Sequence, residues 1–121
     1  MRIKEVKEIL NAELIWGEDF LEADLRAGCG CDLMSDVLAF IGHDNALLLT
    51  GLTTSQTIYI ADAVNVRAVC FVRGKRPTDE IVKLAQERKI ALLAVNLPLY
   101  EACGKLYAKG LMGCSEYEGE G

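Results

Sequence analysis

The chain has 121 residues, 51% of them apolar and 26% charged, with only two prolines. This length and composition are typical of one globular domain and exclude a disordered or low-complexity chain. Thirteen basic against eighteen acidic side chains give a formal net charge of −5, so the molecule repels a phosphate backbone and nucleic acid is not an expected partner.

The first eight residues carry charges where a signal peptide needs an apolar stretch, and no run approaches the ~20 apolar residues of a membrane span. We therefore expect a cytoplasmic protein that does not contact a membrane. The five cysteines are an odd number without an export signal, which favours reduced thiols over a disulfide framework.

The first third of the chain predicts two helices and two short extended segments. Residues 14–16 form one extended segment, and residues 25–28 predict a strand that leads into the second helix. Asp32 stands in front of that helix and is predicted to be its N-cap. The two helices are marked by apolar residues at helical spacing, which are Ile3, Val6, Ile9 and Leu10 in the first and Leu33, Met34, Val37, Leu38 and Ile41 in the second.

The remainder of the chain predicts alternating strands and helices. Residues 46–49, 68–72 and 90–95 are unbroken apolar runs, which are typical of strands covered on both faces in a parallel sheet. Helical spacing follows each run, with polar start signals at residues 77–80 and at Pro98. We predict an α/β fold, a three-layer αβα sandwich with a mostly parallel sheet of four to five strands. One domain is expected over residues 1–112, followed by an acidic, mobile tail over residues 113–121.

Ligands of open parallel sheets bind outside the carboxyl ends of the strands, so the loops there are candidate sites. Arg73, Lys75 and Arg76 form the densest basic cluster of an acidic chain, and hydroxyl side chains stand where a neighbouring helix begins. Together these groups could hold a small anion such as the phosphate of a nucleotide. A solvated turn and a helix cap explain the same residues without a ligand. The predicted anion site comprises Thr50, Gly51, Thr53, Thr54, Ser55, Arg73, Gly74, Lys75 and Arg76.

The segment at residues 28–31 places two thiols one residue apart in a glycine-supported loop. Cys29 and Cys31 could bind one soft metal ion or respond to oxidation, although two thiolates do not complete a four-ligand site. A dimer could pool the two thiols of each chain, and a plain tight turn is the alternative.

No catalytic constellation is evident in the sequence. Ser35 or Ser55 with His43 lacks the nucleophile elbow of a serine hydrolase, and no phosphate-binding or dinucleotide fingerprint occurs. We therefore expect a protein that is not an enzyme, with an uncharacterised enzyme as the alternative, and that carries no resident cofactor.

The arrangement resembles the DRTGG domain family, small α/β modules found alone or attached to phosphotransacetylase, CBS-domain regulators and pyrophosphatases. Three stretches carry the resemblance, residues 6–13, residues 32–38, and the ordered series from residues 49–51 through 68–72 to 92–95. The chain departs from the family signature where Leu52-Thr53-Thr54 and Val72-Arg73-Gly74 replace the expected residues. Its fold is similar to that of the N-terminal domain of HPr kinase/phosphorylase, whose kinase P-loop this chain lacks.

The resemblance implies a homodimer with a regulatory role and no activity of its own. Stand-alone members also resemble proteins encoded near iron-only hydrogenase and NADH-linked redox subunits, which suggests a link to redox metabolism. Three hypotheses follow. The first is a regulatory or protein-docking module, the second a sensor of a nucleotide or phosphorylated metabolite at the carboxyl edge of the sheet, and the third a metal-responsive or redox-responsive protein that uses Cys29 and Cys31.

Overall fold

The computed structural model describes residues 1–40 and 45–116. In chain order the elements are α1 (Ile3–Leu10), β1 (Glu13–Trp16), β2 (Ala27–Gly30), α2 (Met34–Phe40), β3 (Ala46–Thr50), α3 (Ser55–Ala63), β4 (Val66–Phe71), α4 (Asp79–Arg88), β5 (Ala91–Ala94) and α5 (Leu99–Ala108). A 3₁₀ turn at Glu18–Phe20 follows β1. The five strands of these described residues form one sheet in the order β1-β5-β4-β3-β2.

Strands β2 to β5 are parallel, and β1 is added antiparallel to β5 at the edge of the sheet. Every residue of β3 and β5 is buried, as expected for strands that are covered by helices on both faces. The predicted α/β sandwich with a mostly parallel sheet is therefore confirmed.

The sheet separates two apolar cores. Cys70 of β4 belongs to the core under α1 and α5, together with Val6 and Leu106. Its neighbour Phe71 belongs to the core under α2, α3 and α4, together with Ile58. This alternation follows from the pleat of the strand, which sends successive side chains to opposite faces.

Helix α4 begins where the sequence predicted, because the Thr78 hydroxyl accepts a hydrogen bond from the amide of Ile81 at 3.4 Å. Helix α2 differs from its prediction. Met34 and Val37 are buried, whereas Leu33 and Leu38 are 58% and 53% exposed. This helix packs beside α3 next to the edge strand β2, so only a narrow stripe of it reaches the core. Ile41 and His43 lie outside the described residues.

The segment after α5 returns to the sheet at the outer edge of β2. The amide of Gly28 donates to the carbonyl of Met112 at 2.9 Å, and Gly28 and Gly113 form an isolated parallel bridge. Leu111 and Cys114 are buried. The packed domain therefore extends beyond the predicted limit at residue 112, because the pairing with β2 draws part of the predicted tail onto the sheet. Residues 117–121 lie outside the described residues.

None of the helices described in residues 1–40 and 45–116 is long and apolar enough to cross a membrane.

Candidate functional site

The carboxyl ends of three neighbouring strands bring four residues together. Asp32 follows β2, Thr50 ends β3 and Gly51 comes directly after it, and Arg73 follows β4. The Asp32 carboxylate accepts a hydrogen bond from the Thr50 hydroxyl at 2.9 Å and another from the Gly51 amide at 2.7 Å. The Arg73 guanidinium lies 3.6 Å from the second carboxylate oxygen. We call these four residues the carboxyl-edge cluster.

Arg73 is held in an uncommon backbone conformation, with φ at +58°. Its amide donates to the carbonyl of Leu97 at 2.9 Å, which ties the turn after β4 to the turn after β5. The guanidinium lies directly over Gly51, where a Cβ atom would collide with it. A glycine is therefore required at residue 51 if Arg73 is to reach Asp32.

Asp32 was predicted to be the N-cap of α2, and that prediction is wrong. Its carboxylate turns to the neighbouring strand, since the amide of Gly51 and the hydroxyl of Thr50 are available there. Those donors hold the pKa of Asp32 below its ordinary value, with the Gly51 amide as the largest cause and the charge of Arg73 as a further one. Asp32 is thus an ionised acceptor at the centre of the predicted anion site.

The basic cluster predicted from the sequence is divided in the structure. Arg73 belongs to the carboxyl-edge cluster, whereas the guanidinium of Arg76 forms two hydrogen bonds with the carboxylate of Glu13 in β1. Gly74 makes the turn between them with φ at +70°, and Lys75 is exposed. Only one of the three cations therefore lies over the ends of the central strands.

The hydroxyl side chains at the start of α3 have separate places. Thr54 is the N-cap residue, but its hydroxyl makes no capping bond and lies 3.4 Å from that of Thr57. Ser55 is exposed and Thr53 is half-buried. Thr57, which sequence reasoning did not single out, is fully buried and donates to the carbonyl of Leu52 at 3.0 Å. The turn is therefore secured by Thr57 rather than by the three predicted hydroxyls.

Cys29 and Cys31, which were predicted to share one loop, lie in different local structures. Cys29 lies within β2, where the extended backbone continues through Gly30. Cys31 follows the strand, and its sulfur accepts the amide of Leu33 at 3.3 Å. Across residues 1–40 and 45–116, no group of three or more His, Cys, Asp or Glu side chains is arranged to hold a metal ion. Cys29 lies beside Cys114, a residue that sequence reasoning assigned to the tail, because Gly28 and Gly113 form a parallel bridge and both cysteines pack in the same core.

A groove of about 580 Å³ runs between α5 and the edge strand β2, on the face of the sheet opposite to Cys29. Its floor contains Gly28 and Gly30, and Cys103 lies so close to Gly30 that a Cβ there would collide with its sulfur. One wall is α5 and the other is the segment that follows it, with Leu111, Gly113 and Glu116. We call this cavity the α5 groove.

The rim of the α5 groove is aromatic and exposed. Tyr100 is 88% exposed and Tyr107 is 58% exposed, and both border the same groove. The hydroxyl of Tyr107 donates to Glu116 at 3.0 Å and joins the two walls. An apolar groove with a few polar groups at its rim is a typical binding surface.

No protein-family model and no curated protein matches this chain. Its fold is similar to a crystal structure of the CBS and DRTGG domains of the regulatory region of Clostridium perfringens pyrophosphatase, complexed with the activator diadenosine tetraphosphate. The match has a TM-score of 0.68 at 15% identity and covers 87% of this chain. It covers 45% of the other chain, so this chain spans less than half of that regulatory region.

Proposed function

We propose that this chain is a non-catalytic regulatory module of the DRTGG type that acts as a homodimer, with the α5 groove as the surface of contact. The observation that carries the proposal is the exposed aromatic rim of that groove. Its support is the similarity of the fold to a regulatory region that contains a DRTGG domain. A partner enzyme of redox metabolism, which the family resemblance implies, stays a prediction.

The composition of the groove fits a protein partner. Tyrosine and methionine are enriched in protein interfaces; Tyr100 and Tyr107 line the groove and are exposed, and the exposed Met112 belongs to the segment that forms one wall. Burying an exposed tyrosine removes apolar surface from water and costs little conformational entropy, because the side chain has two rotatable angles. A second copy of the chain supplies a surface of the same composition, as an interface with two-fold symmetry requires.

Sedimentation velocity over a range of concentrations tests this function. Tyr100→Asp introduces a charge at the rim of the groove and is expected to raise the dimer dissociation constant at least ~tenfold. Tyr59→Asp is the matched control, because Tyr59 is 50% exposed on α3 in the opposite layer. A wild-type protein that stays monomeric, or an equal loss of dimer in both variants, would refute the proposal.

A second candidate function is that of a sensor for a small anionic ligand at the carboxyl edge of the sheet. Arg73 favours it, because its guanidinium is about half exposed and its 3.6 Å distance from Asp32 is longer than a direct hydrogen bond. An incoming phosphate could displace Asp32 from Arg73 and take over the Gly51 amide. The ligand classes are nucleotides and phosphorylated metabolites, and no resident cofactor is required.

Thermal-shift measurements with pyrophosphate, ATP and diadenosine tetraphosphate test the sensor. A ligand that binds is expected to raise the melting temperature of the wild-type protein, and Arg73→Ala is expected to remove that shift. Arg76→Ala is the matched control, because that side chain is engaged with Glu13. If Arg73→Ala retains the full shift, the carboxyl-edge cluster is not the site of binding.

A further inference from the structure

Two cysteines from distant parts of the sequence lie side by side at the outer edge of the sheet. Gly28 and Gly113 form a parallel bridge, so Cys29 and Cys114 are the next residues along both paired segments. Both side chains belong to the core on the α2 and α3 side of the sheet. Paired segments lie ~4.8 Å apart, so the residues that follow this bridge start from a separation within the ~4.4–6.8 Å between Cα atoms that a disulfide spans.

From this pairing we propose that Cys29 and Cys114 form a disulfide under oxidation and thereby lock the segment after α5 onto β2. In the reduced protein that segment is held on β2 by the hydrogen bond from the Gly28 amide to the Met112 carbonyl and by packing. A disulfide would add a covalent link between the segment and β2. Formation of the disulfide does not depend on the proposed function, whereas its effect on dimerisation rests on that function.

The two sulfurs have different roles in the reaction. The interaction between the two neighbouring thiols lowers the pKa of Cys114 and raises that of Cys29. Cys114 is therefore the thiolate and the nucleophile, and Cys29 is the resolving thiol. Two of the other thiols are less suited, since burial raises the pKa of Cys70 to about 12 and also raises that of Cys103.

Hydrogen peroxide is the class of oxidant that completes the reaction. The Cys114 sulfur attacks one peroxide oxygen, the O–O bond breaks and, with one proton, water leaves behind a sulfenic acid. The sulfur of Cys29 then attacks the sulfur of Cys114, the S–O bond breaks and the proton of Cys29 leaves with the hydroxyl as a second water. The two thiols lose two electrons together, and one peroxide is reduced to two waters.

The position of the pair allows it to fix the α5 groove without blocking it. Leu111 and Gly113 line the groove, while Cys114 belongs to the core on the opposite face of the sheet. A disulfide would anchor this wall from behind and leave the floor at Gly30 open. A wall that is already ordered loses less conformational entropy on binding, so oxidation should strengthen dimerisation.

Peptide mapping by mass spectrometry after treatment with one equivalent of hydrogen peroxide tests the disulfide. The wild-type protein is expected to lose two hydrogens and to yield a Cys29–Cys114 crosslink within one chain. Cys103→Ser and Cys31→Ser are matched controls that should retain it, and Cys114→Ser should lack it. Because the crosslink is read in the wild-type protein, the result does not depend on whether a variant folds. Absence of the crosslink, or pairing of Cys29 with Cys31 or Cys103, overturns the proposal.

Sedimentation of the oxidised and reduced protein tests the coupling to the groove. The dimer dissociation constant is expected to fall about threefold or more on oxidation, because the wall is ordered in advance. An unchanged constant in a crosslinked protein overturns the coupling. A protein that is monomeric in both states overturns the proposed dimer as well, whereas the mapped crosslink reports on the cysteine pair alone.

Discussion

Removing the Asp32 carboxylate should destabilise the domain, because two buried donors depend on it. Thr50 is fully buried and Gly51 is buried, and both donate to the same carboxylate oxygen. A buried donor without a partner costs about 1–3 kcal/mol. Asp32 is 42% exposed, so water can enter the space that it leaves, and we expect a loss of about 2–3 kcal/mol for Asp32→Ala. For a domain of this size the melting temperature should fall by about 10 °C.

Asp32→Asn provides a sharper comparison, since the amide keeps an oxygen acceptor and removes only the charge. Its cost should be about 1 kcal/mol, the difference between a charge-assisted and a neutral hydrogen bond. The pKa of Asp32 is lower in the folded than in the unfolded protein. The ionised carboxylate therefore contributes its full stabilisation above the pKa of the unfolded state, and this stabilisation is lost as the pH falls through the pKa of the folded state. The advantage of the wild-type protein over Asp32→Asn should therefore shrink below about pH 4.

Urea unfolding of both proteins between about pH 6 and pH 3 measures this difference. Glu13 and Glu22 also have lowered pKa values, but both are present in the two proteins and cancel in the comparison. If the two proteins lose stability in parallel over the whole range, the ionised carboxylate of Asp32 is not stabilised by Gly51 and Arg73.

Thermal melts of three variants, with two glycines and one lysine replaced, test the backbone conformation at those positions. Gly17→Ala should cost about 2–4 kcal/mol, because φ is +113° and the new Cβ would lie 2.9 Å from the Cα of Ala91 in β5. Gly104→Ala should instead stabilise the domain by about 0.5–1 kcal/mol, because its Cβ meets nothing within 4 Å and alanine favours the helix. Lys89→Gly should raise the melting temperature, since Lys89 ends α4 with φ at +59°, and an equal or lower value would contradict that account.

The sequence was sufficient to predict the central part of the fold. The runs at residues 46–49, 68–72 and 90–95 are apolar throughout, and that composition over so short a length is typical of a strand covered on both faces. The start of α4 was also predictable, because a threonine cap depends on residues adjacent in sequence.

The candidate site was predictable only in part, because its contacts cross the sheet. Thr50, Gly51 and Arg73 were located by the general rule for strand ends, whereas the role of Asp32 depends on a neighbouring strand that a capping rule does not consider. The pair of Arg76 with Glu13 joins residues 63 apart in sequence. The pairing of Gly28 with Gly113 was equally inaccessible, since glycine and cysteine give little strand signal at an edge.

The central claim is that this chain works by pairing with a second copy of itself along the α5 groove, and amide chemical shifts followed with increasing protein concentration test it most directly. We predict concentration-dependent shifts at residues 100–107 and 111–113, with residues of α3 such as Tyr59 unchanged. Shifts confined to the α2 and α3 layer, or no shifts up to high concentration, would contradict it.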